Sequence, residues 1–481
     1  MREGKFRLEG KFEGQGKAGW KRRADNFMGK SGLGWKIRAK AEYRVALPQL
    51  SEDEEKAVLD ISALFCAQSQ KTEIESGKAA AECIEKLCRE YCEENSIELD
   101  APQKKYIPKM AYLHTYANCF LDELLGDARL EEIAIFGLGK PAYVYVRGEG
   151  WKETNCSFEG AAEFCACVNK LGRNAGKRVS AQTPKINAAL TDGSRMHAAI
   201  PPVCEYSLTI RKFRSEPFCA HELGKGGTAS FSCLAFLWAA MQAELSIIVA
   251  GNTASGKTTT LNSLFSFVPK NERIIVAEDT AEISLPHAHV VRLLSNEESG
   301  IGMNEIIRDS LRMRPDRLVV GEMRSPKEVE AFMETVLCGQ GKGSYATFHA
   351  QSANDALLRL RMLGAMTSDI PSIDLVVVQR RMESYDLKRR SSAQSRRIRE
   401  VCEIREGEMP SCVPIFSLQE GELVRTKNKS FALEKISECF GCSQEELGKE
   451  MKKREKFLGE IGKKKISFLE SFGKIQEFML K

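Results

Sequence analysis

The sequence has no surplus of either charge: 71 Lys and Arg stand against 66 Asp and Glu, a net of +5. Such a balance gives no bulk attraction to nucleic acid, so a polyanion would have to be met locally. There is no internal repeat, which removes solenoids and propellers. There is no uninterrupted membrane span. The nearest stretch, FSCLAFLWAAMQAELSIIVAG (residues 231–251), is broken by Gln242 and Glu244 and reads as a buried helix followed by a buried strand. Residues 1–45 lack the apolar core of a secretory signal. The 16 cysteines make no framework: Cys439 and Cys442 form a C-x-x-C, and Cys83, Cys88 and Cys92 share one helical pattern, but neither set has a convincing second pair. Buried or idle thiols are expected, not a zinc site.

What is present is organised along the chain. At 481 residues it is long enough for about two to four domains of roughly 100–200 residues. Residues 1–45 are rich in Lys and Arg, with Trp20, Lys21, Arg22 and Arg23 clustered, and show no hydrophobic period. They are expected to form a basic, disordered tail, either merely solvated or in contact with a membrane or partner. Residues 46–104 read as helical, with Ser51 as an N-cap before an acidic first turn. Residues 105–215 read as an N-terminal α+β domain. In it, INAALTDGSRMHAAIPP forms a hairpin about Asp192–Gly193, and SLTIRKF forms a strand. The Pro and glycines near 216–226 mark a linker. Residues 227–425 alternate strands and helices as a parallel α/β sheet requires, and 426–481 read as a cap of short charged helices.

The centre of that α/β segment carries a chemical signature. In IIVAGNTASGKTTTLNSL (residues 247–264), an apolar strand leads into Gly251-Asn252-Thr253-Ala254-Ser255-Gly256-Lys257-Thr258-Thr259 and then a helix. The glycines let successive N–H groups turn inward as an anion nest, at the positive end of the helix dipole. Lys257 adds a charge for phosphate, and Thr258 offers the hydroxyl that a phosphate-bound Mg²⁺ needs. This is a P-loop in its strand–loop–helix setting, and it implies a nucleoside triphosphate.

Polar groups recur at the next strand ends. RIIVAEDTAEI (residues 273–283) ends in Glu278 and Asp279, an acidic helix start or a pair that orients water or meets Mg²⁺. RLVVGEMR ends in Glu322, with Glu in place of the usual Asp of a Walker B strand and Gly321 giving the backbone room. SYATFHA ends in Thr347 and His349, where the imidazole is either a satisfied core residue or a third polar group sent toward the same edge.

In order and spacing, GNTASGKTTTLNSL, AEDTAEI, LRMRPDRLVVGEMRSPKEVEAF and GKGSYATFHA resemble the Walker A, Asp-box, Walker B and His-box segments of type II/IV secretion system ATPases. LDELLGDARLEEIAIFGLGKPAYVYVRGEGWKETN and DGSRMHAAIPPV with SLTIRKF resemble the N-terminal domain of that family, in its archaeal pilus, archaellum and secretion branch. The resemblance covers about residues 105–405. It lacks the four-cysteine zinc loop that many bacterial members carry, and residues 1–45 match nothing in the family. It implies an α/β, RecA-like P-loop motor domain beside a separate α+β N-terminal domain and C-terminal helices. It further implies ATP with Mg²⁺, hydrolysis, and a homohexameric ring at the cytoplasmic face of the membrane. Such a ring works on pilin-like or secreted subunits through a polytopic membrane platform protein. Carried over by position, Lys257 and Thr258 hold phosphate and metal, and Glu278 and Glu322 serve the water and the metal. His349 senses the γ-phosphate, and Arg195 and Arg211 reach the nucleotide, a task suited to a guanidinium.

A nucleic-acid translocase on the same core is the competing reading, with KRRSSAQSRRIR (residues 388–399) and the basic tail as backbone contacts. That stretch reads more plainly as a solvated hairpin tip between DLVVV and REVCEI. A GTPase switch is not supported, because no N-K-x-D segment follows the P-loop.

Overall fold

A computed structural model describes residues 32–38, 40–213, 216–296, 299–339, 341–386 and 390–480. The chain divides into two compact units, Met1–Arg214 and Ser215–Lys481.

In the first unit the strands are β1 (Trp35–Ile37), β2 (Leu130–Phe136), β3 (Pro141–Val146), β4 (Gly150–Phe158), β5 (Lys185–Ala189), β6 (Arg195–Ala199) and β7 (Ser207–Arg211). They form a seven-stranded sheet in the order β1-β4-β3-β2-β7-β6-β5, every neighbour antiparallel. The helices are α1 (Glu52–Ser69), α2 (Gly77–Glu94), α3 (Gln103–Thr115), α4 (Leu121–Gly126) and α5 (Ala161–Gly172). Ser51 caps α1 in a reciprocal box with Glu54, as the sequence pattern requires. The β5–β6 hairpin turns at Asp192–Gly193, where Gly193 takes φ +84° and Asp192 Oδ1 accepts from the Ser194 N–H.

The basic-tail expectation requires correction over its last part. Residues 1–31 lie outside the described residues, but β1 pairs with β4, and Leu33, Trp35, Ile37 and Val45 are buried in the core. Trp35 and Ile37 flank Lys36 in a two-residue alternation that is too short to register as a period against the surrounding basic residues. The helices expected over 46–104 are likewise no separate segment: Val58, Ile84, Ile107 and Ile133 share one apolar cluster.

The second unit contains α6 (Ala220–Lys225), α7 (Phe231–Gln242), β8 (Ile247–Gly251), α8 (Lys257–Leu264), β9 (Ile274–Glu278), β10 (Val290–Leu294), α9 (Met303–Leu311), β11 (Arg317–Met323), α10 (Pro326–Leu337), β12 (Ser344–Phe348) and α11 (Ala353–Met362). Next come β13 (Leu375–Asp386), β14 (Ser391–Arg405), β15 (Ser411–Gln419), β16 (Glu422–Arg425), α12 (Phe431–Phe440), α13 (Gln444–Gly462) and α14 (Phe468–Met479). The sheet has nine strands in the order β10-β9-β11-β12-β8-β13-β14-β15-β16. It is parallel from β10 through β13 and antiparallel beyond.

Burial on both faces explains the apolar runs. Ile247 and Val249 belong to one core cluster and Ile248 and Ala250 to another, so β8 has no residue left to face water. Residues 216–226, expected as a linker, contain α6 with Leu223 and His221 buried, so the Pro and glycines there punctuate a folded helix. The span 388–399, expected as a solvated hairpin tip, falls for the most part within β14, in register with β13. No described helix is long and apolar enough to cross a membrane.

Candidate functional site

The parallel part of the sheet sends the ends of β8, β9, β11 and β12 to one edge, and the predicted site residues of this unit collect there. After β8, Ala254 takes φ +59° and Gly256 φ +94°, so the chain curls before α8 begins at Lys257. Only glycine fits at 251, because a Cβ there would overlap the Gln379 carbonyl oxygen. The Ser255 N–H donates to the Asn252 carbonyl at 3.2 Å. Lys257 is 8 % exposed, and its Nζ donates to the carbonyls of Gly251 and Asn252 at 3.4 Å each. Ser255 Oγ is fully buried and has no hydrogen-bond partner among the described residues. Thr258 Oγ1 donates to Glu282 Oε2 at 3.4 Å.

Glu278, at the end of β9, is 2 % exposed. Its Oε1 accepts the N–H groups of Glu282 and Ile283 at 2.9 and 2.8 Å, while Arg292 Nε on β10 stands 3.3 Å from Oε2. Burial pushes its carboxyl up to about 7, against the partial relief from those two N–H groups and Arg292. Gly321 makes the space: a Cβ there would come within 3.1 Å of Glu278 Cγ.

Glu322 lies on the next strand with its Oε1 2.5 Å from His349 Nε2. Its Oε2 accepts from Arg324 Nε at 2.6 Å, and Arg324 Nη1 also reaches Asp279 Oδ2 at 3.1 Å. His349 is held below the usual imidazole range by burial and by the charge of Lys257, so it is neutral near pH 7. Thr347 turns away, donating to the Gly321 carbonyl at 2.5 Å.

Arg195 and Arg211 lie in the other unit. They stand directly opposite each other on β6 and β7, Arg195 half-buried and Arg211 exposed.

Some neighbours of the loop were not anticipated. Glu282 and Arg292 lie beside Glu278, and Arg324 ties Asp279 to Glu322. The spacing of Arg324, two residues past Glu322 and so on the same side of an extended chain, was a usable signal. Gln379, Arg381 and Arg396 reach the loop from β13 and β14, and nothing local in the sequence announces them. No group of three or more His, Cys, Asp or Glu side chains suited to a metal occurs among the described residues. Of the residues predicted to meet a metal, Thr258 lies in the first turn of α8 and Glu322 near the end of β11.

A parallel sheet with a glycine-bracketed loop between its central strand and a helix, and with acidic groups at neighbouring strand ends, defines a RecA-like P-loop domain. The family model described as "Type II/IV secretion system protein" matches residues 171–446, more than half of the chain. The protein belongs to that family.

An uncharacterized protein of Methanocaldococcus jannaschii, MJ0781, is 34 % identical over 266 residues, covering 52 % of this chain and 37 % of the relative. The type IV secretion system protein VirB11 of Bartonella quintana is 28 % identical over 317 residues, covering 55 % of this chain and 88 % of VirB11. Among solved structures, the ATPase DotB of Legionella pneumophila matches with a TM-score of 0.43 and 17 % identity, covering 70 % of this chain and 87 % of DotB. The chain spans less than half the length of MJ0781 and of a second M. jannaschii relative, 37 % and 44 %.

Proposed function

We propose that this protein hydrolyses ATP and, as a homohexameric ring at the inner face of the cell membrane, drives type IV-pilus-like filament assembly or protein secretion through a polytopic membrane platform protein. The observation that carries the hydrolysis is the meeting of Lys257, Glu278, Glu322 and His349 at one sheet edge around a loop whose Ser255 hydroxyl is buried and, among the described residues, without a partner. An orphaned buried hydroxyl in an anion nest fits a phosphate-bearing ligand, which would satisfy it.

In this reading the loop N–H groups and Lys257 hold the phosphates, and Thr258 and Glu322 hold Mg²⁺. The ion, when bound, supplies neutralisation of phosphate charge. Glu278, poised near pH 7 in a dry setting, accepts a proton from the attacking water, since a base is most effective when its pKa lies near the working pH. The neutral His349 donates one hydrogen bond without adding charge, and Arg324 fixes Glu322 and Asp279 relative to one another. Arg195 and Arg211 contribute positive charge to the phosphates.

The test is ATP turnover by the purified full chain. Lys257→Ala should abolish it, and single-stranded DNA should not stimulate the parent. Turnover unchanged in the variant would remove the nucleotide reading.

A further inference from the structure

The loop is not held by its own strand and helix alone. Residues 119 to 142 positions further along the chain grip it. Gln379 is 2 % exposed, accepts from Thr260 Oγ1 at 2.5 Å, and sets its Nε2 3.0 Å from where a Cβ on Gly256 would stand. The Arg381 N–H donates to Asn252 Oδ1 at 3.1 Å. Arg396 donates through Nε to the Ala254 carbonyl at 3.0 Å.

That last bond sits at the crest of the loop, where a non-glycine residue holds a left-handed φ of +59°. The peptide plane between Ala254 and Ser255 is pinned at both ends, its carbonyl on Arg396 and its N–H on the Asn252 carbonyl. A carbonyl carries partial negative charge, so a flip of this plane would alter the potential that phosphate meets. A guanidinium on the carbonyl opposes the flip more strongly than a neutral donor would.

The register supplies a second observation. Arg381 stands opposite Arg396, and Arg380 opposite Arg397. Like charges directly opposite in a sheet are destabilising, so these pairs do not serve hairpin stability. Arg397 is engaged with the Gly421 carbonyl, and Arg396 with the loop.

We propose that Arg396 is a positioning residue for the nucleotide, holding the crest of the phosphate-binding loop in its receptive conformation. The proposal rests on the reading of that loop as a nucleotide site. It is tested by calorimetric titration of the full chain with ADP, comparing the parent with Arg396→Ala, Arg396→Lys and Lys257→Ala.

Arg396→Ala should raise Kd about tenfold or more, as expected for loss of a charge-assisted hydrogen bond. Stoichiometry and melting temperature should stay put. Arg396→Lys, which keeps the charge but not the planar donor, should fall between alanine and the parent. A merely structural role would lower the number of competent sites or the melting temperature and leave the Kd of the surviving sites alone. If the alanine variant fails to fold, Arg396→Gln is read by the same criterion. A Kd within about twofold of the parent, where Lys257→Ala loses binding, overturns this proposal alone. No binding by the parent overturns both it and the nucleotide reading.

Discussion

Glu278→Gln should make the second unit more stable above neutral pH while slowing turnover. The carboxyl titrates near 4.5 in an open chain and near 7 in the fold. Between those values the folded state holds a proton that the unfolded state has released. Stability therefore falls as pH rises from about 4.5 to about 7 and stays down above that. At about 1.4 kcal/mol per pH unit, the full penalty is roughly 3 kcal/mol. Glutamine keeps an oxygen for the N–H groups of Glu282 and Ile283 and carries no charge to desolvate. It sets an amide against Arg292, which is 39 % exposed and can swing to water at small cost. The expected gain is about 2 kcal/mol at about pH 8.5 and close to zero at about pH 4.5. Urea unfolding, followed by hydrogen exchange in peptides covering Ile274–Glu278, measures it at both pH values. Parallel stability curves for parent and variant would refute the argument, because they would mean that the buried carboxyl carries no charge penalty.

Glu322→Gln should retain ADP affinity and lose hydrolysis, since the amide keeps the shape beside His349 and Arg324 but not the charge; wild-type turnover would move the role to Glu278 alone. Arg211→Ala, at an exposed strand position, should leave the melting temperature within a degree or so and lower kcat by an order of magnitude or more; unchanged kcat would free the arginines from the nucleotide. Trp35→Ala should destabilise the first unit by about 3–5 kcal/mol in chemical unfolding, whereas a loss below about 1 kcal/mol would place β1 outside the core.

How far the sequence could be read follows from how local each signal is. The P-loop, the strand ends at Glu278 and Glu322, the Ser51 cap and the Asp192–Gly193 turn each depend on a handful of consecutive residues, and those were legible. The strand Trp35–Ile37 was not, because three residues make no measurable period and its partner, β4, lies more than a hundred positions away. Gln379 and Arg396 were not legible for a related reason. Their partners are set by the β13–β14 register and by the placing of β13 beside β8, neither of which any local pattern encodes. The basic run 388–399 looked like a solvated tip because alternating strand faces cannot be told from a loop when both faces are polar.

The sheet sorts the chemistry by side, and the sorting makes a prediction. From β9, β11 and β12 come Glu278, Glu322 and His349, two carboxyl groups and an imidazole. From β13 and β14 come the Gln379 side-chain amide, the Arg381 backbone N–H and the Arg396 guanidinium, which hold the loop and its helix by hydrogen bonds. If the second set fixes the loop and the first runs the chemistry, affinity and turnover should respond differently to pH. Turnover should rise through about pH 7 as Glu278 loses its proton, since a base must be ionised to accept one. ADP affinity should change with pH to the same extent in the parent and in Glu278→Gln, because the remaining dependence belongs to the nucleotide. Steady-state ATPase profiles and ADP titrations from about pH 6 to about pH 8.5 measure both. Turnover that is flat or falling across pH 7, or an affinity profile that shifts when Glu278 becomes glutamine, would show that the carboxyl belongs to binding and not to the proton transfer.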